Sequence, residues 1–360
     1  MADPAAFTDA SVTYAARVRR HGKKLVLSLL LAVAFGWALW RGGLPIVPPA
    51  SAFAEVRGTS IAAYVVLMLG MQWFRASRWR FLLAPIARVP LRRILTVSYI
   101  GFAAILLLPL RAGEVVRPLM IQQRDKLSLA AATGTIGAER IIDGLFLTLL
   151  LGICLPFSQP LSPLPDHIGK LDIPVAAVPF YAYLALGGFL AAFAAMALFY
   201  LRPEIGRRLT ERTIGLVSPK LATKAADFVA RLAEGLRFLP SARYFGLFLV
   251  ETVLYWGLNA ASMYVLALGC GLEGMTLLRA CVVMGVLGVG ILVPAGPGLF
   301  GAFQWSMYAA LAMFFADELV LGPGAAYVFL VYAIQFAWHV LSGAVCLLLD
   351  RDAAPASNPA

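Results

Sequence analysis

Residues 279–316 read RACVVMGVLGVGILVPAGPGLFGAFQWSMYAALAMFFA and carry one charge, that of Arg279. At 38 residues the run is nearly twice as long as the roughly 20 that one membrane-spanning helix needs. Pro294, Gly296, Pro297 and Gly298 interrupt its middle, and Gly301 follows, so the helix must break there. Both flanks have the charge pattern of one side of the membrane. We therefore expect the run to enter the membrane, break at these hinge residues and return.

The composition of the chain places it in a membrane. Of its 360 residues, 61% are apolar and 14% charged, whereas soluble domains are about half apolar and a quarter charged. These values exclude a soluble enzyme, a disordered protein and a disulfide-stapled secreted domain. The four cysteines lie in apolar runs without metal-ligand spacing, so neither a metal site nor a cofactor is expected. The sequence predicts an all-α polytopic membrane protein.

Charges between the apolar runs predict the topology. Six runs are long enough for full transmembrane helices: 25–40, 59–74, 127–157, 174–201, 244–270 and 325–349. The link 75–93 carries six arginines and no acid, whereas 317–324 carries Asp317 and Glu318 alone. The positive-inside rule then places both termini in the cytoplasm. We expect a basic tail over 1–24, one transmembrane domain over 25–350 with a cytoplasmic amphipathic connection at 202–243, and a disordered tail over 351–360.

A second apolar segment also departs from a simple crossing. Residues 94–110 separate two basic segments that should both lie in the cytoplasm, and a helix of 17 residues spans only about 25 Å. We expect this segment to turn back, with Pro109 and Gly113 as its hinges. Six full helices and two re-entrant segments from opposite faces are compatible with an inverted repeat around a transport site. Two kinked helices in an eight-span bundle are the alternative.

Charged residues within or beside these segments are the candidate site, because intramembrane charge is costly and usually functional. The predicted substrate-binding residues are Arg111, Glu114, Arg117, Glu139, Arg140, Asp143 and Glu251. Arg111 and Arg117 can each present a planar fork to a phosphate or carboxylate. The four-residue spacing of Glu139 and Asp143 puts both on one helix face. The alternative is a structural brace, and His339 is interpreted as a core histidine.

Three motifs carry a resemblance to a known family. They are Pro109-x-Arg111-x-Gly113-Glu114-x-x-Arg117, Glu139-Arg140-x-x-Asp143 and Pro294-x-x-Pro297-Gly298-x-x-Gly301. Over roughly residues 20–350 the chain resembles the lysylphosphatidylglycerol synthase transmembrane family. These are the flippase-like domains of the bacterial multiple peptide resistance factor, which also occur as stand-alone proteins. The resemblance implies a bacterial plasma-membrane protein that moves a lipid with a modified headgroup between leaflets. Leu299 and Gln304 stand where the family tends to have glycine and glutamate.

Three functions are compatible with these features. The first is a lipid transporter of the flippase or scramblase type, not an enzyme, for a lipid with a modified or anionic headgroup. The sequence has no GxxxxGK[ST] motif for ATP hydrolysis. The second is a non-catalytic membrane partner of a lipid-modifying enzyme. The third is a membrane glycosyltransferase, although the loop 41–58 offers only Glu55 as an acid. Expected partners are a membrane lipid and either a separate lipid-modifying enzyme or a second copy of the chain, with no nucleic acid.

Overall fold

The computed structural model describes residues 25–125, 127–172, 175–216, 218–237 and 241–352. The expectations for residues 1–24 and 353–360 lie outside these ranges. The described helices are α1 (Leu25–Arg41), α2 (Gly58–Ser77), α3 (Trp79–Leu83), α4 (Leu91–Leu107), α5 (Val116–Asp125), α6 (Leu129–Phe157), α7 (Val178–Leu201), α8 (Pro203–Thr213), α9 (Pro219–Glu234), α10 (Ala242–Gly269), α11 (Leu277–Gly290), α12 (Ala302–Ala312), α13 (Asp317–Leu321) and α14 (Pro323–Asp352). Two short antiparallel strands, β1 (His167–Ile168) and β2 (Leu171–Asp172), form a small hairpin.

Each of the six long apolar runs is a helix, namely α1, α2, α6, α7, α10 and α14. Four described stretches are long and apolar enough to cross a membrane: Leu129–Phe157, Val175–Leu201, Ala242–Gly269 and Asp317–Asp350. Hydroxyl side chains cap the N-termini of several helices. Ser128 Oγ accepts a hydrogen bond from Ala131 N at 3.1 Å, which satisfies one of the free amides at the start of α6. The all-α polytopic membrane fold is therefore confirmed.

The first broken segment folds back on itself and forms hairpin 1, made of α4, a 3-10 turn at Pro109–Val115 and α5. Arg93 in α4 donates a hydrogen bond to Met120 O in α5 at 2.9 Å, which places the start of α4 beside α5. Gly113 lies so close to Ala104 that a Cβ there would overlap its backbone. The contact explains why the turn needs glycine at this position.

The second broken segment forms hairpin 2, made of α11, the turn 291–301 and α12. The Arg279 guanidinium lies 5.2 Å from the Phe314 ring, so the two outer ends of this hairpin are neighbours. Gly298, Leu299 and Gly301 have φ of 73°, 60° and 92°, in the region that favours glycine. Leu299 thus holds a left-handed conformation that glycine adopts more easily than leucine does.

The hairpin 2 turn carries the remaining predicted hinges and ends in a capped helix. Pro294 and Gly296 lie in the irregular part of the turn, and Pro297 begins a short 3-10 helix, Pro297–Leu299. Gln304 Oε1 accepts a hydrogen bond from Gly301 N at 2.8 Å. At this position a neutral amide therefore caps the start of α12, a structural task that needs no titratable group.

The two hairpins have opposite orientations. Arg57 N donates to Gly269 O at 2.9 Å at one end of the molecule, and Arg93 pairs with Asp350 at 2.7 Å at the other. The end of the molecule at Arg57, which we call the acidic end, holds segments 42–57, 158–172, 270–276 and 313–322. The end at Arg93, which we call the basic end, holds segments 78–90, 202–216 and 218–237. Hairpin 1 starts and finishes at the basic end, and hairpin 2 starts and finishes at the acidic end.

The amphipathic connection forms α8 and α9 at the basic end. Ser218 Oγ accepts a hydrogen bond from Leu221 N at 3.4 Å, as the Ser218-Pro219 pair predicts. The large apolar residues of this connection do not share one environment, because Leu221 and Phe228 are each 53% exposed whereas Leu236 is buried. Small residues, Ala222 and Ala226, fill the buried face of α9 instead.

Candidate functional site

A cavity of about 550 Å³ lies between the two hairpins. Residues from α2, α4, α6, α7, α10, α11, α12 and α14 line it, together with both hairpin turns. Its charged lining residues are Arg75, Arg111, Glu114, Arg140 and Asp143. Most of the remaining wall is aliphatic or aromatic, for example Leu287, Phe303 and Phe336. A largely apolar pocket with a few convergent charges is the usual form of a small-ligand site.

Arg111 places the tip of hairpin 1 against the turn of hairpin 2. Its Nη1 donates to Ile291 O at 3.4 Å, and its Nη2 lies 3.2 Å from the Glu114 carboxylate. The Arg111 and Glu114 side chains are 29% and 36% exposed. Arg111 also has φ of 57°, a left-handed conformation that the turn imposes at some cost. The geometry leaves part of the guanidinium fork open to the cavity.

Arg140 and Asp143 bring charge to the middle of α6, since Asp143 is the central residue of Leu129–Phe157. Asp143 accepts two hydrogen bonds from Arg78 at 2.5 and 2.6 Å, so this carboxylate is already paired. Arg140 contacts Glu139 at 3.1 Å and is 27% exposed. Of these two residues, Arg140 is therefore the one whose charge is available to a ligand.

Arg75 is the third arginine of the cavity, and its position depends on His339. Arg75 Nη1 lies 3.1 Å from His339 Nε2, and its guanidinium lies 4.2 Å from the Phe102 ring centre. His339 Nδ1 lies 2.6 Å from Gln335 O, which can only accept. The ring therefore donates through Nδ1, and Nε2 is the acceptor for Arg75. His339 holds Arg75 in place without neutralising its charge.

A buried brace lies behind the cavity and contains two of the predicted binding residues. Arg117 makes two hydrogen bonds to Glu139, at 3.1 and 3.3 Å. Its guanidinium also lies 4.2 Å from the Trp79 ring centre and 5.2 Å from that of Phe102. Arg117 and Glu139 are buried and do not line the cavity. They join α5 to α6 rather than face a ligand.

Glu251 also lies apart from the cavity lining. Its carboxylate is 2.5 Å from Arg80 Nη2 and accepts a hydrogen bond from the Ser77 hydroxyl at 2.5 Å. These contacts join α10 to the end of α2 and the start of α3. Of the seven charged residues that the sequence singles out, four line the cavity, two form the brace and Glu251 belongs to a separate pair.

Sequence reasoning missed Arg75, Arg78 and the role of His339. Arg75 and Arg78 follow the apolar run 59–74 directly and were interpreted as charges of a cytoplasmic link. One signal for them was present, because no acid occurs in 75–93 to pair with them locally. Their partners had to come from other helices, and for Arg78 that partner is Asp143 of the predicted set.

The charges in and behind the cavity leave a positive excess. Among the described residues, five arginines meet three carboxylates there, which gives a net charge of +2. The arginines are Arg75, Arg78, Arg111, Arg117 and Arg140, and the carboxylates are Glu114, Glu139 and Asp143. Uncompensated charge is unfavourable where water is scarce. The cavity is therefore suited to an anion.

The mouth of the cavity lies beside exposed apolar residues. Leu107 and Leu108, at the end of α4, are 51% and 42% exposed. Leu292 and Val293, in the hairpin 2 turn, are 50% and 51% exposed, and Leu292 also lines the cavity. A charged interior beside an apolar rim suits a ligand with an anionic head and an apolar tail.

The fold and cavity define a multi-pass α-helical membrane protein with two opposed hairpins around a charged cavity. The family model described as lysylphosphatidylglycerol synthase TM region matches residues 25–343. The chain belongs to this family, and the match includes both hairpins and every charged residue of the cavity. Membership indicates a function connected with membrane lipids. No curated protein and no solved structure matches the chain.

Proposed function

We propose that the protein binds the anionic headgroup of a membrane lipid in the cavity and moves the lipid between leaflets. The observation that carries this proposal is the net charge of +2 in and behind the cavity, beside an apolar rim. The protein acts as a transporter of the flippase or scramblase type and not as an enzyme. It lies in a bacterial plasma membrane with both termini in the cytoplasm.

In the binding step, the headgroup replaces water and neighbouring carboxylates around the arginines. Arg111 and Arg140, both partly exposed, supply charged donors, and such hydrogen bonds to phosphate are among the strongest in proteins. Arg75, from α2, adds a third charge to the cavity lining. The apolar chains need not enter, because exposed Leu107 and Leu292 lie where those chains would leave the cavity.

In the movement step, the two hairpins open the cavity in turn. They come from opposite ends of the molecule and meet where Arg111 contacts Ile291 O at 3.4 Å. Paired broken helices of this kind surround the substrate sites of transporters built from inverted repeats. We propose that both are re-entrant in the membrane. A headgroup held by Arg111 would compete for this contact and so couple binding to separation of the tips.

The lipids that co-purify with the protein test the binding step. Lipids extracted from purified wild type, Arg111→Gln and Arg207→Gln would be compared by mass spectrometry with the bulk membrane. Arg207 is a matched control, because it lies on α8 in an exposed pair with Asp227 at 2.7 Å. We expect an anionic lipid to be enriched with wild type and Arg207→Gln and lost with Arg111→Gln. Retained lipids that mirror the bulk membrane in all three samples would contradict headgroup binding.

A further inference from the structure

The arginines and carboxylates of the cavity are not matched one to one. Glu139 is shared by Arg78 at 3.7 Å, Arg117 at 3.1 Å and Arg140 at 3.1 Å. Within the described ranges, no carboxylate lies within 4 Å of Arg75, which contacts His339 and the Phe102 ring. Two arginines that face the cavity, Arg75 and Arg140, therefore have no carboxylate of their own. When Asp143 is paired with Arg78, Glu139 with Arg117 and Glu114 with Arg111, the two arginines left over both line the cavity.

The unpartnered polar atoms at this wall are mostly hydrogen-bond donors. Arg111 Nε, Arg140 Nε and Trp256 Nε1 are buried without a partner, and Trp256 as a whole is only 9% exposed. Among described residues that line the cavity, Asn259 Oδ1 is the one unpartnered buried acceptor. The charged lining residues show the same bias, since three arginines face two carboxylates, so a ligand that fills this site should accept more hydrogen bonds than it donates. Phosphate oxygens accept, whereas an ammonium group only donates.

On these grounds, and resting on the proposed function, we propose that the preferred ligand is a lipid phosphate with at least two negative charges. This class includes lipid phosphate monoesters and diphosphates. Such a headgroup would neutralise the excess charge, whereas a phosphodiester would leave one positive charge. A lysine ester of phosphatidylglycerol carries two ammonium groups against one phosphate and would increase the excess. The cavity of this chain therefore selects against an aminoacylated headgroup.

The cavity also has room for this class of headgroup. Its volume of about 550 Å³ falls within the range of about 300–1,000 Å³ that is usual for small-ligand sites. Arg75 and Arg140 both line the cavity and come from different helices, α2 and α6, so a ligand that fills the cavity meets charged donors from two elements. A diphosphate would additionally reach Arg111 at the cavity mouth.

A series of lipids with identical acyl chains tests the inference. The full chain in micelles would be titrated by native mass spectrometry at about pH 8, where a phosphate monoester is doubly charged. The series contains phosphatidic acid, diacylglycerol diphosphate, phosphatidylglycerol, lysylphosphatidylglycerol and phosphatidylcholine. We expect the first two to bind at least about tenfold more tightly than phosphatidylglycerol, since each lost charged hydrogen bond weakens binding about ten- to a hundredfold. The lysyl lipid should bind no better than phosphatidylcholine.

Two variants test whether Arg75 causes the preference for phosphatidic acid. Arg75→Gln should remove most of the advantage of phosphatidic acid over phosphatidylglycerol, because the second charge then has no partner. Arg207→Gln, far from the cavity, should leave the wild-type order unchanged. Thermal unfolding of each variant shows whether the fold is kept. If Arg75→Gln fails to fold, the wild-type lipid series still decides the question.

The outcomes separate this inference from the proposed function. Equal binding of phosphatidic acid and phosphatidylglycerol, both above phosphatidylcholine, would overturn the selection for two charges and leave the anionic headgroup site intact. Tightest binding of the lysyl lipid would overturn the inference outright. No lipid above phosphatidylcholine would overturn both proposals. Glycerol phosphate and pyrophosphate should compete only weakly, and competition as strong as that of phosphatidic acid would show that the ligand is a soluble phosphate.

Discussion

Glu139 has three arginines around one buried carboxylate, at distances from 3.1 to 3.7 Å. The carboxylate is surrounded by protein, so its charge must be balanced by these neighbours. Arg117 and Arg78 carry the connection to α5 and to the end of α2. The residue thus ties three elements together behind the cavity and fixes the position of Arg140 in front of it.

Replacing this carboxylate tests the brace. Glu139→Gln should lower the free energy of unfolding by about 3–5 kcal/mol, because it leaves buried arginines without a counter-charge. Asp227→Asn breaks an exposed ion pair at the basic end and should cost about 0–1 kcal/mol. Denaturation of both variants in the same detergent provides the comparison. Equal, small losses would contradict a buried brace.

The members of the charged cluster could be predicted from the sequence. Which of them line the cavity and which form the buried brace could not. Arg111 and Arg140 were expected at a ligand site and line the cavity. Arg117 was expected beside them, yet its stem packs over Gly101 and its guanidinium faces Trp79. Which arginine faces the cavity depends on helix rotation and on neighbours from distant segments. Hydropathy and spacing do not contain that information.

At the scale of elements, the two hairpins were predictable because proline and glycine interrupt both apolar segments. Proline and glycine end the helices at the places where the structure turns, after Leu107 and after Gly290. The flanking charges indicated that each segment returns to its own end. The contact between the tips, Arg111 to Ile291 O, could not be predicted, because it joins residues 180 positions apart.

The hairpin tips depend on glycine where no side chain fits. Gly113→Ala should force the turn away from Ala104, and Gly301→Ala would combine a φ of 92° with overlap of Phe35. We expect each to lower stability by about 1–3 kcal/mol and to abolish lipid retention. In Gly188→Ala on α7, the new Cβ meets nothing within 4 Å. This control should be neutral or slightly stabilising, and a loss equal to that of Gly113→Ala would refute the packing argument.

At the scale of the molecule, the opposed hairpins and the charge pattern fix an orientation that can be measured. In a background without the native cysteines, single cysteines would replace Arg88, which precedes hairpin 1, or Gln122, near the end of its α5. Others would replace Glu273 and Glu318, on either side of hairpin 2; all four positions are exposed. We expect an impermeant thiol reagent to label the second pair in intact cells and the first pair only after permeabilisation. Labelling of Arg88→Cys and Gln122→Cys from opposite sides would show that hairpin 1 crosses the membrane.

The central claim is that this cavity moves lipid, and a leaflet-exchange assay tests it most directly. Vesicles would hold fluorescent phosphatidic acid, and dithionite, which does not cross the bilayer, would bleach the outer leaflet. We predict bleaching of nearly all the fluorescence with wild type and with Arg207→Gln, and of only about the outer half with Arg111→Gln. The two variants differ in one respect: Arg111 lines the cavity, whereas Arg207 does not. Bleaching with wild type that stops at the level of protein-free vesicles would contradict the account.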